Sequence, residues 1–234
     1  GFEMTLWEVV RFLGINLLLV AVFAIYLYCA DIDVLKDIKQ LIALDMLMVI
    51  GLAIYLSINR WLSPFAVPYA FIALTCGLII SRKSGFISSL VVVLMMFFAQ
   101  AFSEMTVTSY IPLFVGVTSS ILSSYTLSSQ NKRINYIAVA GLLAVLICAS
   151  NLILTMAVSD QVNILQLVVF SLLSGFISVG LFMLTVPVLD TLFNFITDFR
   201  LDELTATDAP LMKRMFEEAP GTFNHCLTVA NYTE

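Results

Sequence analysis

Seven apolar stretches, each about as long as a bilayer is thick, constrain the fold of this 234-residue chain more than any other feature. An α-helix needs about 20 residues to cross roughly 30 Å of hydrocarbon. Stretches of that length cover residues 12–30, 38–58, 61–80, 85–103, 107–127, 134–157 and 162–184. Hydrophobic residues make up 61% of the chain and charged residues 12%, a balance too apolar for a soluble domain. The sequence therefore predicts an all-α, polytopic membrane protein built as a seven-transmembrane helix bundle.

Positively charged residues predict how this bundle is oriented. The first, third and fifth loops, with the residues that border them, carry Lys36, Lys39, Arg82, Lys83, Lys132 and Arg133, whereas the other three loops carry only Arg60. Because short cytoplasmic loops are enriched in lysine and arginine, the amino terminus is expected outside and the carboxyl end in the cytosol. The formal net charge is −5 and the cations are divided among several loops, so nothing indicates a nucleic acid polymer as partner.

Asp45 is a charged residue deep in the second apolar stretch, seven residues from its start. That position is about 10 Å from the cytoplasmic end, too deep for a short side chain to reach water easily. Arg11, near the outer end of the first stretch, lies roughly 15 Å away along the membrane normal, beyond salt-bridge distance. Asp45 is therefore protonated, hydrated in a cleft or bonded to another partner. A structural contact and a ligand or proton role both stay open.

The last apolar stretch runs into a connector with a helical pattern. After Pro187, apolar side chains recur at helical spacing, which predicts a one-sided amphipathic helix. These residues are Leu189, Leu192, Phe193 and Ile196, with Asp190 and Asp198 on other faces. The pattern is typical of a helix that leaves the membrane.

Two short helices are predicted beyond this connector. Asp208 before Ala209-Pro210 favours a helix start, since a carboxylate can cap free amides and proline suits the first turn. The tripeptide 219–221, Ala-Pro-Gly, predicts the end of that helix, and Thr222 is expected to cap the next one. His225 then lies one turn in. By itself one histidine does not define a metal site, because a metal needs several donors.

This tail resembles the entry to the catalytic domain in bacterial seven-transmembrane proteins with a cytoplasmic HD hydrolase domain, the PgpH-type cyclic di-AMP phosphodiesterases. The residues that carry the resemblance are Pro210-Leu211, the run from Glu218 to Cys226, Val229-Ala230-Asn231 and Glu234, and upstream Gly175, Gly180, Pro187, Asp190, Phe193, Thr197, Asp198 and Leu201 to Leu204. Three positions depart from the family pattern, which usually has histidine at Asn224, serine at Cys226 and glutamate at Asp190.

The resemblance implies a division of the chain and a role for several residues. Residues 1–198 would form the seven-transmembrane domain, 199–209 a linker and 210–234 the start of a truncated, all-α HD domain. His225 would be the first metal ligand, and no catalytic residue is expected in this stretch of the protein. The expected connector to the HD domain comprises Pro187, Asp190, Phe193, Asp198, Leu201 and Leu204.

The resemblance also implies an activity. The complete HD domain would use a pair of divalent metal ions, manganese or iron, to hydrolyse cyclic di-AMP to a linear dinucleotide by attack of a metal-activated water. The chain by itself is expected to be inactive, because one ligand cannot build the site. The expected location is the bacterial plasma membrane, with the lipid bilayer and cyclic di-AMP as partners, and a homodimer is left open.

Two other functions are compatible with the sequence. In a membrane sensor, the HD portion would be degenerate and the bundle would receive a ligand, so a missing His-Asp pair downstream would favour this hypothesis. In a small-solute transporter, Asp45 and Pro112 would line a substrate path, and flux abolished by Asp45→Asn would favour that one. Lys39, the second residue of the stretch 38–58, is the one lysine within the seven stretches, and its position at the end of the stretch argues against a retinal pigment held through a buried Schiff base.

Overall fold

The computed structural model describes residues 6–101, 110–126, 135–158, 163–195, 197, 201, 204 and 209–233. Within these ranges all regular secondary structure is helical, which confirms the all-α expectation. The α-helices are α1 (Leu6–Ala30), α2 (Ile32–Lys36), α3 (Ile38–Trp61), α4 (Ala70–Ile79), α5 (Arg82–Ala101), α6 (Tyr110–Thr126), α7 (Asn135–Val158), α8 (Ile164–Phe193), α9 (Pro210–Glu218) and α10 (Pro220–Thr233). A 3-10 helix, Pro64–Ala66, lies between α3 and α4.

Five helices in the described part are long and apolar enough to cross a membrane, namely α1, α3, α5, α7 and α8. Helix α6 has 17 residues, and the residues on both sides of it lie outside the described ranges. The remaining predicted stretch, 61–80, is not one continuous helix but the 3-10 helix followed by the ten-residue α4. The polytopic, helical membrane architecture is thus confirmed, with one stretch broken in two.

Two prolines explain the break in this third stretch. In a continuous helix, Pro68 could not donate to the carbonyl of Pro64, and its ring would clash with that group. Instead Pro64 begins the 3-10 helix, where the hydroxyl of Ser63 accepts a hydrogen bond from the amide of Phe65 at 3.3 Å. Helix α4 starts afresh at Ala70 and is only about 15 Å long.

Helix α4 occupies the centre of the bundle. It packs against α3, α5, α6 and α8, and every residue from 66 to 77 is buried. The surrounding helices contact one another in the order α3, α5, α6, α7, α8, and a smaller contact between α8 and α3 closes the ring. Helix α1 packs on the outside of α5. The short central helix is therefore shielded from lipid on all sides.

Hydroxyl groups of the surrounding helices stabilise the non-helical backbone that precedes α4. The hydroxyl of Tyr55 on α3 donates to the carbonyl oxygen of Tyr69 at 2.9 Å, and Ser89 on α5 approaches the same oxygen at 3.4 Å. Ser174 on α8 donates to the carbonyl oxygen of Val67 at 2.5 Å. Irregular backbone inside a membrane protein is stable only where such partners replace water. The break is therefore part of the packing between α3, α5 and α8.

Helices α9 and α10 form a small hairpin. Helix α9 begins at Pro210 as predicted, with Ala209 in the cap position, whereas Asp208 lies outside the described residues. The rings of Phe216 and Phe223 meet edge to face with centroids 5.3 Å apart. The predicted cap at Thr222 is wrong, because α10 already begins at Pro220, whose fixed φ suits a first helical residue.

Candidate functional site at the end of the last long helix

Helix α8 is longer than a bilayer is thick. Its 30 residues span about 45 Å, against roughly 30 Å of hydrocarbon, so its last turns emerge from the membrane. Pro187 lies inside the helix and does not end it. The predicted connector helix is therefore the final part of α8 itself, with no break between the membrane span and its polar extension.

A folded-back elbow follows the end of α8. The helix stops at Asn194, whose backbone is left-handed with φ of 54°, a conformation that asparagine tolerates better than most residues. Thr197 then lies against the helix, and its hydroxyl donates a hydrogen bond to the carboxylate Oδ2 of Asp190. Both side chains are buried. The rings of Phe193 and Phe195 stack with centroids 5.5 Å apart. The contacts of these four residues fix the direction in which the chain leaves the helix.

The connector residues do not all lie where their pattern indicated. Asp190, expected on a face apart from the apolar side chains, is buried beside Leu189, whereas Leu192 is exposed. Leu201 and Leu204 are both exposed, and Asp198 lies outside the described residues. The part of the connector with a defined packing is therefore the α8 elbow, from Asp190 to Thr197.

Replacing Thr197 with valine is expected to loosen the α8 elbow. The change keeps the side-chain volume but removes a donor from the buried Asp190, which costs about 1.5–3 kcal/mol for a hydrogen bond to a charged group. Hydrogen exchange of the amides in 188–197 should become about tenfold faster or more. Thr191→Val is the matched control, because that exposed hydroxyl bonds only within its own helix, to the carbonyl oxygen of Pro187. Equal exchange in the two variants would contradict a role for the buried contact.

His225 lies on α10, six residues into the helix, and its side chain is exposed. Neighbouring Cys226 is also exposed, whereas Phe223 is buried against α9. No group of three or more His, Cys, Asp or Glu side chains that could hold a metal is found among the described residues. This part of the chain thus offers one accessible imidazole as a donor and not a complete metal site.

Asp45 lies on the outer face of α3, among exposed apolar side chains that include Ile42, Met46 and Val49. It is not in a cleft of the bundle, and no hydrogen bond or ion pair joins its side chain to another residue of the described part. Pro112, in contrast, is buried in the first turn of α6. Their placement gives no support to a shared substrate path.

Two polar contacts within the bundle were not predicted from the sequence. The carboxylate of Asp31 accepts hydrogen bonds from Ser81 at 2.7 Å and from Ser84, and so joins the end of α1 to the start of α5. Asn151 on α7 donates to the hydroxyl of Ser171 on α8 at 2.9 Å. The sequence does carry a signal for each contact. One is a pair of serines three residues apart at the start of a helix, and the other is an asparagine inside an apolar stretch. Both contacts tie neighbouring helices together.

The fold and these contacts define a class of protein: an all-α, multi-pass membrane protein whose last long helix continues as a packed elbow. Within that class the chain belongs to the family described as 7TM receptor with intracellular HD hydrolase, whose model matches residues 6–197.

Three relatives are similar to parts of this chain. The cyclic-di-AMP phosphodiesterase PgpH of Listeria monocytogenes is 29% identical over 180 residues, which are 73% of this chain and 24% of that protein. The PgpH of Bacillus subtilis is 35% identical over 68 residues, 29% of this chain and 10% of that protein. An uncharacterised Synechocystis protein is 48% identical over 48 residues, 20% and 6% of the two chains. The chain thus spans at most about a quarter of the length of these relatives. No solved structure matches it.

Proposed function

We propose that this chain is the membrane module of a signalling phosphodiesterase that hydrolyses cyclic di-AMP to a linear dinucleotide. The observation that carries the proposal is the family match over 6–197, together with two relatives named as cyclic-di-AMP phosphodiesterases. In this proposal residues 1–198 form the membrane domain, 199–209 a linker and 210–234 the start of the HD domain. The amino terminus lies outside the plasma membrane and the HD domain in the cytosol.

His225 is the residue of this chain that would bind a metal in the complete HD domain. Its neutral imidazole would be one nitrogen donor, and its exposure on α10 leaves it accessible to ligands from later helices. The divalent ions, manganese or iron, would activate a water and offset the charge that develops on the phosphate. In this proposal His225 is the contribution of this chain to the metal site, and the catalytic groups belong to the rest of the HD domain.

The membrane part of the chain would hold the HD domain and pass on a change made outside. Ser174 connects α8 to the broken stretch in the bundle centre, and the same helix ends in the α8 elbow. A movement of the segment around Val67 would therefore displace α8 and shift or rotate the α8 elbow. Continuity of the helix supports this coupling.

The test is hydrolysis by the purified full-length protein. With Mn²⁺ it should convert cyclic di-AMP to the linear dinucleotide, and chelation should abolish the reaction until Mn²⁺ is restored. An intact, metal-loaded protein that leaves cyclic di-AMP uncleaved would contradict the proposal. Absence of a His-Asp pair downstream would then favour the sensor with a degenerate HD domain.

A further inference from the structure

A stripe of exposed residues runs along the membrane-facing side of α3. It consists of Ile42, Asp45, Val49, Ala53 and Ser57, which recur every three or four residues and so share one side of the helix. No other described helix covers these side chains. We call these five residues the α3 stripe.

A carboxyl group in the α3 stripe is costly against lipid. Asp45 is about 10 Å from the cytoplasmic end of a helix that crosses the bilayer, and hydrocarbon offers no hydrogen-bond donor or acceptor. The aspartate side chain is too short to reach the interface. Since none of the described residues is bonded to it, a partner outside this chain would relieve the cost.

A second copy of the same chain supplies a matching group at the right depth. Two copies have the same orientation in the membrane, so a two-fold axis along the normal brings α3 beside the partner's α3 in parallel. Asp45 then meets the partner's Asp45 at the same depth. Two protonated carboxyl groups each donate one hydrogen bond and accept one, and are therefore complementary to each other across a two-fold axis.

Cations of a second copy are less suitable partners. Arg11 lies near the outer end of α1, roughly 15 Å from Asp45 along the normal. Lys39 lies six residues toward the cytosol, about 9 Å away, and would have to draw its ammonium group from water into hydrocarbon to reach the carboxyl. Like carboxyls therefore fit better than either cation.

The outer part of the α3 stripe favours close approach of two helices. Ala53 and Ser57 are small, exposed and four residues apart, the spacing that lets helix backbones meet in membranes. The hydroxyl of Ser57 already donates to the carbonyl oxygen of Ala53 at 2.7 Å, so this hydroxyl can be buried in an interface without losing its hydrogen bond. We propose that the α3 stripe is the interface of a parallel homodimer in which Asp45 pairs with the partner's Asp45.

Cysteine cross-linking of the full-length protein in its native membrane tests this interface, whether or not the protein cleaves cyclic di-AMP. In a background with the exposed cysteines Cys29 and Cys226 replaced by serine, Val49→Cys should form a disulfide-linked dimer on oxidation. Val145→Cys on α7 is the matched control: the same residue type, 61% exposed against 69% for Val49, and at a similar depth. It should remain monomeric. Equal cross-linking at the two positions, or none at Val49, would overturn the proposal.

Substitutions at Asp45 distinguish a carboxyl pair from simple apolar packing. Asp45→Asn keeps a donor and an acceptor and should preserve dimers, whereas Asp45→Leu should weaken dimerisation about tenfold, measured by energy transfer on lipid dilution. An unchanged dimer with leucine would overturn the role of Asp45. Copurification of a different membrane protein, with this chain monomeric, would overturn the choice of a second copy.

Discussion

Replacing Gly175 with valine is expected to destabilise the bundle strongly. A Cβ at this position of α8 would lie 2.4 Å from the Cα and 2.5 Å from the backbone nitrogen of Ala144 on α7. Backbone atoms cannot rotate away, so the two helices would have to separate along the most extensive helix pair of the structure. Ser174, the next residue, would then lose its hydrogen bond to Val67 in the broken stretch.

The cost should exceed about 3 kcal/mol, the upper range for overpacking in a core that can relax. The measurement is thermal unfolding of the purified protein in detergent, with size-exclusion chromatography to detect aggregation. Gly180→Val is the matched control on the same helix, since nothing lies within 4 Å of a Cβ built there. It should unfold near the wild-type temperature. If the two variants were equally stable, the contact between α7 and α8 would not be as close as described.

Under the proposed function, replacing His225 with alanine in the full-length protein is expected to remove both bound metal and activity. Mutating a residue that only hydrogen-bonds to a metal ligand typically lowers metal affinity about 10- to 100-fold, and removing a ligand itself should lower it more. The rate should therefore fall by more than about a hundredfold. The helix itself should be unaffected, because His225 is exposed and alanine is a good helix former. Metal content by mass spectrometry and the rate of cyclic di-AMP cleavage are the two readouts.

Thr228→Ala is the control for this substitution. Thr228 is exposed on the same helix, and its hydroxyl bonds only to the carbonyl oxygen of Asn224 one turn earlier. Metal content and rate should stay within about twofold of wild type. Retention of both in His225→Ala would remove His225 from the set of metal ligands, even if the protein as a whole remained a phosphodiesterase.

The membrane fold could be predicted because apolar length is a local property of the sequence. Runs of about 20 apolar residues identified α1, α3, α5, α7 and α8, although α1 begins six residues before its predicted stretch and α8 ends nine residues after its own. The same count missed the break in stretch 61–80, since hydropathy does not register that Pro64 and Pro68 forbid one continuous helix. The hydrogen bond from Ser174 to Val67 joins residues that are 107 positions apart in the sequence, so local patterns could not predict it.

In the candidate sites, too, local patterns predicted positions along a helix but not contacts between distant residues. Depth in the membrane follows from counting residues, so the position of Asp45 along α3 was predictable, but the direction of its side chain depends on which neighbours α3 contacts. In the connector, helical spacing identified the extension of α8 and missed the burial of Asp190, because the chain turns at Asn194 and brings Thr197 back to it. A left-handed residue of this kind is hard to recognise without coordinates.

The central claim is that a membrane bundle delivers its carboxyl-terminal helices to the cytosol, and labelling of Cys226 tests it most directly. In a Cys29→Ser background, the remaining Cys76 and Cys148 are buried, so a membrane-impermeant maleimide reports on exposed Cys226. An added Arg60→Cys, exposed at the predicted outer end of α3, serves as the positive control. We expect Arg60→Cys to label in intact cells and Cys226 to label only after the cells are permeabilised. Labelling of Cys226 in intact cells would contradict the account, because the nucleotide and the HD domain would then lie on opposite sides of the membrane.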